Sequence, residues 1–526
     1  LLLDRSGIRA LDAEPKWLAG TAANGNAAPV RTSIALSKVE SMSEIAEPAP
    51  NATDRANLRI IEGPLTTGLF KLGLPLALAM ALQSTFNLID MLVVSRLPDG
   101  KEAVAALAIC DLVAMVPTIL ANGISNASAA IIARRAGERD ARAVSFFTWQ
   151  SLALVTWLSV GFGLVGGLFA TPITEGVFGA KGHMATLTVE YMTVIVGGCF
   201  SILLLLQIAA IMRALGDGKT PLILLVGSNV VNLFMTIVMV FGNGPAPDGL
   251  QWATPIADAI GLEPMGVLGA AWSTIISRLL ALGIGAVILA RKSALVTFHM
   301  KDLRLTRRAF NQLWRIAWPN SAQFVLRIGV ILFFTAIITR HFTTAEDATT
   351  ATAFGICTRL ETMVLFMSMG WGAAASTYVG QNLGAGFGKR AMDAGWIASG
   401  YNFVFMIGIL MSFLFASDAI IGIFNDSPSV IAVGEEYLRI VGASYLFFGV
   451  AVVISQALAG AGATMAGFTI DSFVLLALVI PASLIAIAAT DITQTLTWSL
   501  IAGGNVVTGI VYVAWFKRGR WLTHQV

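Results

Sequence analysis

The chain has 526 residues, 56% of them hydrophobic and 12% charged, with a mean hydropathy of +0.77. A soluble globular chain carries about twice that charge, so the composition excludes one and marks a polytopic membrane protein. The net charge of +3 arises from cations placed in loops between apolar segments, which argues against a nucleic-acid partner.

Residues 1–65 differ from the rest, with weak periodicity, scattered Pro, Ala and Asn, and mixed charge. They lack a continuous apolar run of signal-peptide type. A disordered cytoplasmic extension is expected, with Met42 as a natural start; an amphipathic anchor is the alternative.

Twelve apolar segments follow, designated α1 to α12, at about 66–96, 103–133, 144–171, 186–212, 220–242, 266–291, 317–341, 348–378, 392–417, 434–459, 466–489 and 494–516. Each is long enough to cross a bilayer. Lys and Arg concentrate in alternate loops: Arg134, Arg135, Arg139 and Arg142 after α2, Arg213 and Lys219 after α4, a run from Arg291 to Arg315 after α6, Lys389 and Arg390 after α8, and Lys517, Arg518 and Arg520 in the tail. The intervening loops are acidic or neutral. By the positive-inside rule both termini face the cytoplasm, as expected for an inner-membrane protein.

The first segment carries the chemistry. Between Phe70 and Leu97, Gln83, Asn87 and Asp90 recur at i, i+4 and i+7, a polar stripe on one face of a lipid-length helix. Asp90 lies about 9 Å inside the end marked by Arg96, too deep to be a boundary group. A carboxylate at that depth is costly and points at protein or water, so it is a candidate ion-coupling residue. Asp111 on α2 lies at comparable depth. Asn229 and Asn232 on α5 could complete an ion site or act as packing glue between helices. Arg278 on α6 lies near mid-membrane and needs an anion, with Asp90 and Asp111 the available acids. Arg327 on α7 has no acid on its own helix. Arg359 and Glu361 on α8 are two residues apart, off-face for a direct pair, and read as parts of interhelical salt bridges. Trp272, Met363 and Met367 are candidates for an adaptable substrate wall beside Arg278 and Arg327.

The two halves repeat. LFKLGLPLAL opens α1 and LWRIAWPNSA opens α7, pairing Pro75 with Pro319, and Gly137 after α2 pairs with Gly384 after α8. The spacing from proline to glycine is 62 residues in the first half and 65 in the second. With six helices per unit the copies share one orientation and are related by an axis along the membrane normal. The expected organisation is an all-α membrane protein of two six-helix lobes, an N-lobe at 66–291 and a C-lobe at 317–516. A basic connector at 292–316, expected to hold a surface helix, joins them, and a short tail occupies 517–526.

These stretches together resemble the multidrug and toxic-compound extrusion (MATE) family of secondary transporters. The resemblance is carried by FNLIDMLVVSRL in α1, IIARRAGERDARA after α2, MRALGDGKTPLILLVGSNVVNLFMTIVMVFG across α4 and α5, GVLGAAWSTIISRLL in α6 and FGICTRLETMVLFMSMGWGAAASTYVGQNLGAG in α8. It implies proton- or sodium-coupled antiport by alternating access and export of amphipathic, often cationic, organic compounds. It also implies that Asp90 is the coupling acid, with Asn87 three residues before it. The α5 pattern of the prokaryotic branch is Asn followed four residues later by Asp. Here Asn232 is followed by Thr236, and no acid stands near Arg327 where another branch has one.

No catalytic triad, nucleotide loop or metal cluster is visible, and no cofactor is expected beyond the coupling ion. The three cysteines fall inside predicted helices, so no disulfide framework is expected. The partners expected are a small organic substrate and the bilayer, with the protein a monomer. The alternatives are a flippase for lipid-linked oligosaccharide or another anionic lipid, favoured by Arg278 and Arg327, and a membrane-embedded enzyme, which lacks a convincing set of convergent acids.

Overall fold

The computed structural model describes residues 59–292, 296–297, 299–344, 346–489 and 492–524, with the backbone alone for 84–90, 292 and 300. The extension expected before residue 59 lies outside the described residues. So do the side chains of Asn87 and Asp90.

Twelve membrane helices form, and the described residues contain no strand: α1 Leu65–Val94, α2 Gly100–Gly137, α3 Ala141–Thr171, α4 in two pieces (Gly182–Gly197 and Phe200–Ala214), α5 Lys219–Phe241, α6 Gly266–Lys292, α7 Arg307–Phe342, α8 Thr349–Gly384, α9 Gly388–Phe415, α10 Pro428–Gly460, α11 from Thr464 to Ala489 with a π-helical stretch at Phe473–Val479, and α12 Gln494–Lys517. Side-chain caps set several starts. Asp140 accepts from the Ala143 amide at 2.9 Å to open α3, and Thr493 accepts from Leu496 at 3.2 Å to open α12. Eleven helices are plainly apolar enough to cross a membrane. The twelfth, α8, is rich in Gly, Ser, Thr and Ala because it is faced by protein, packing against α1, α2, α9 and α10. Small residues let helix backbones approach where lipid supplies no hydrophobic drive.

The buried apolar residues separate into three clusters: one through the C-lobe and one at each end of the N-lobe. Two helices cross the division between lobes. The start of α1 (Leu69, Leu72, Leu76) belongs to the C-lobe core, while Val93 and Val94 belong to the N-lobe. Reciprocally, Ala309, Leu313, Ile316 and Ala317 of α7 sit in the N-lobe core, and Phe334, Ile337 and Ile338 sit in the C-lobe. The change of allegiance falls between Ala77 and Val93 in α1 and between Ala317 and Phe334 in α7. The connector also differs from expectation. α7 begins at Arg307, and the described connector residues hold only a single 3-10 turn, Met300–Leu303. That turn is tied to α3: Arg142 grips Asp302 with two bonds of 2.6 and 2.8 Å, and Gln150 donates to the Arg304 carbonyl and accepts from the Thr306 amide, both at 2.8 Å.

At the end carrying the basic loops the lobes close on each other, backbone against backbone. A β-carbon at Gly137 would lie 2.0 Å from the Gln381 carbonyl oxygen, and one at Gly384 would lie 2.0 Å from that of Arg134. The repeat partners thus pack reciprocally across the seam. Thr377 donates to the Arg213 carbonyl at 3.1 Å and Gln381 to that of Ala214 at 2.8 Å, stitching α8 to the end of α4.

Candidate functional site

Each lobe has a polar centre, and the two are chemically different. In the N-lobe, Asn229 of α5 donates to the Gln83 side-chain oxygen of α1 at 3.2 Å, so these two expected site residues do meet. Asn232, one turn further along, turns to α6 instead. Its amide lies 3.0 Å from Thr274, 3.3 Å from Thr236 and 3.4 Å from Ser273. Thr236, standing where an acid was expected, is completely buried and shares a 2.7 Å hydroxyl bond with Ser273. Hydroxyl pairing takes the place of charge there. Asp111 on α2 is exposed and lies within electrostatic reach of Arg278 on α6. Asp90 lies outside what can be compared.

In the C-lobe the polar centre is ionic. Asp471 on α11 is almost fully enclosed, its side chain 1% exposed. Its Oδ2 accepts from Nε of Arg327 at 2.8 Å and from Nε2 of Gln323 at 2.9 Å, and its Oδ1 accepts from the Tyr512 hydroxyl at 2.9 Å. One carboxylate therefore ties α7, α11 and α12 together. Arg327, which has no acid on its own helix, finds one 144 residues away, and its guanidinium also lies 5.7 Å from the Phe448 ring centre. An acid inside an apolar segment, followed by FVLLALVIPASL, was the signal that should have singled out Asp471.

Two cavities open beside Arg327. The smaller, about 20 Å³, is polar and reaches Asn320, Gln323, Ser455 and Met369. The larger, about 110 Å³, lies among α7, α8, α10, α11 and α12 and includes Glu361 in its wall. Glu361 accepts from the Tyr437 hydroxyl at 3.1 Å. Neither Glu361 nor the exposed Arg359 has an ion-pair partner among the described residues, which corrects the salt bridges expected for them.

Three of the substrate-wall candidates stand away from these two cavities. Met363 and Met367 line neither cavity; they pack on the C-lobe core. Thr358, Glu361, Thr362 and Leu365 share the cavity face of α8 at helical spacing, and residues two positions from Glu361 or Leu365 fall well around the helix. The methionine that reaches a cavity is Met369. Trp272, 41% exposed on α6 beside the fully buried Ser273, also lines neither cavity.

Comparison with known proteins agrees with this architecture. The MatE family model matches residues 75–238 and 324–502, well over half of the chain and one match in each lobe. The chain belongs to the MatE family, a family of membrane transporters. Among curated relatives, the FAD transporter of Shewanella oneidensis is 24% identical over 425 residues, covering 80% of this chain and 88% of that one. A probable multidrug resistance protein of Thermotoga maritima, NorM, is 23% identical over 468 residues, covering 86% and 92%. Among solved structures, an outward-facing multidrug resistance MATE transporter superposes with a TM-score of 0.77 at 20% identity, covering 89% of this chain and 99% of that one. A Pyrococcus furiosus transporter described as having reversed binding-pocket polarity gives 0.76 at 20% identity, with the same coverage.

Proposed function

We propose that this chain exports amphipathic, often cationic, organic compounds in exchange for protons or sodium ions, alternating the access of a cleft between its lobes. The observation that carries the reading is the seam at the basic end. Glycine backbones and a few hydrogen bonds close it, a surface that two rigid bundles can part and re-form. With the basic loops cytoplasmic, the seam is the inner gate, and both termini face the cytoplasm from a protein set in the inner membrane.

In this reading Asp90 takes up the coupling ion, within the helix that Gln83 and Asn229 join to α5. A second reading, an anionic substrate bearing phosphate as in the flippase alternative, draws on Arg327 lining both C-lobe cavities and on the relative named as an FAD transporter. Against it, Asp471 already balances Arg327.

Inverted vesicles separate these readings. Dye movement is followed with a proton or a sodium gradient imposed separately, and FAD is offered in parallel. The expected outcome is dye transport driven by one gradient and abolished by Asp90→Asn. Undiminished coupled transport in Asp90→Asn would overturn the role of Asp90, and gradient-driven FAD movement without dye movement would favour the second reading.

A further inference from the structure

The opening of α7 carries an exposed stripe whose chemistry changes along its length. Arg307, Trp314, Trp318, Val325 and Leu332 recur at i, i+7, i+11, i+18 and i+25, within a band roughly 40° wide. All five are exposed, while Ala309, Leu313 and Ile316 on the opposite face are buried in the N-lobe core. Charge at the basic end, then indole, then aliphatic carbon is the order a helix shows where it passes from headgroups into hydrocarbon. Trp314 stands about 10 Å along the axis from Arg307. With the indole at the boundary, the guanidinium lies among headgroup phosphates.

The cations there are unanswered. From Arg291 to Arg315 the chain has seven Lys and Arg and a single acid, Asp302. That acid is buried, and Arg142 occupies both of its oxygens. The exposed Arg307, Arg308 and Arg315 make no ion pair among the described residues. Beneath them the rings are held in place: Phe310 stacks on Trp314 with planes 8° apart, and Trp318 meets Phe468 of α11 at 5.6 Å. The repeat supplies an internal contrast. Counting from Pro75 and Pro319, the α1 counterparts of Arg307 and Arg308 are Gly63 and Pro64, and those of Trp314 and Arg315 are Phe70 and Lys71. Acidic Glu62 stands next to them, and Phe70 packs on Trp371 and Tyr401 of the C-lobe. The place in the repeat is the same, but the charge and the free aromatic surface are not.

We propose that the start of α7 is a binding site for an anionic phospholipid of the leaflet at the basic end. Arg307, Arg308 and Arg315 hold its phosphate, and an acyl chain lies along Trp314, Trp318 and Val325. Guanidinium groups match phosphate oxygens with paired donors. A zwitterionic lipid offers the same phosphate but carries its own cation, which three arginines repel, so a lipid of net negative charge is selected. The α1 side, with one lysine and one glutamate, lacks that selection. The site holds whatever the cargo and the coupling ion.

The full chain is placed in nanodiscs of equimolar phosphatidylcholine and phosphatidylglycerol, with photo-crosslinking p-benzoylphenylalanine in place of Asn311 or of Thr67, its exposed counterpart in α1. Both positions leave the arginines and indoles intact. Mass spectrometry of the adducts is expected to show phosphatidylglycerol enriched about threefold over its share of the bilayer at position 311 and not at position 67. Arg307→Gln, Arg308→Gln and Arg315→Gln together return position 311 to the bilayer ratio. Arg307→Lys, Arg308→Lys and Arg315→Lys together keep part of the enrichment, because the charge stays while the paired donors go. Adducts at position 311 in the bilayer ratio, or equal enrichment at position 67, overturn the proposal with all native charges in place, so the result does not depend on the triple variants folding. Enrichment that survives the triple glutamine change overturns it as well.

Discussion

The two lobes share one repeated pattern of six helices, yet the network between α5 and α6 and the one joining α7, α11 and α12 satisfy their buried polar groups by opposite means. The N-lobe uses neutral side chains between α5 and α6, with Asn232 among Thr236, Ser273 and Thr274. The C-lobe uses a carboxylate and a guanidinium, Asp471 and Arg327, roofed by Gln323 and Tyr512. The difference bears on what each lobe tolerates. A neutral network loses a bond at a time, whereas removing one member of an enclosed ion pair strands the other's full charge. The α5–α6 network is thus the more forgiving of change, and the C-lobe is held to a single arrangement of α7, α11 and α12.

Three substitutions sharpen or break this contrast. Asp471→Ala should have the largest effect, about 3–5 kcal/mol, by leaving Arg327 buried without its partner. Thermal melting in detergent would show it, and the double change Arg327→Met with Asp471→Leu should recover much of the loss; a single variant as stable as the parent would refute the ionic description. Gly384→Val tests the seam between the lobes. Its side chain meets the Arg134 backbone, which cannot rotate away, so about 1–3 kcal/mol is shifted against the closed seam. Spin labels placed across the basic end should report a wider separation, and an unchanged distance distribution would count against the packing described. Asn232→Leu should be the mildest, about 1 kcal/mol, because hydrogen bonds between membrane helices are individually weak. A melting shift as large as that of Asp471→Ala would erase the distinction between lobes.

Much of the architecture was legible in the residues. Segment lengths located the helices because lipid admits few other backbones, and the pairing of Gly137 with Gly384 anticipated positions that do pack reciprocally. The sites were less legible. Gln83 and Asn229, two of the expected site residues, do touch, each from a polar face of a neighbouring helix. Arg327 was noticed but its partner was not, since helical spacing reports only neighbours on the same helix and Asp471 arrives from α11. Met363 and Met367 suited a substrate wall by composition, but which face of α8 borders a cavity depends on how α10, α11 and α12 pack around it. The exchange of helix ends between lobes left no trace either, because every segment is similarly apolar and nothing in the pattern says which core it joins.

That exchange has a mechanical result. The first part of α7 is clasped by the N-lobe, with Gln150 holding the chain at Thr306, while Arg327 fastens the same helix to the C-lobe. If the bundles rock as proposed, the twenty-two residues from Thr306 to Arg327 would be pulled from both ends. Pro319, unable to donate to the turn before it, is where such a rod would yield. In the proposed cycle α7 would therefore be a tether that sets how far the two halves can travel before one of its anchorages must tear loose.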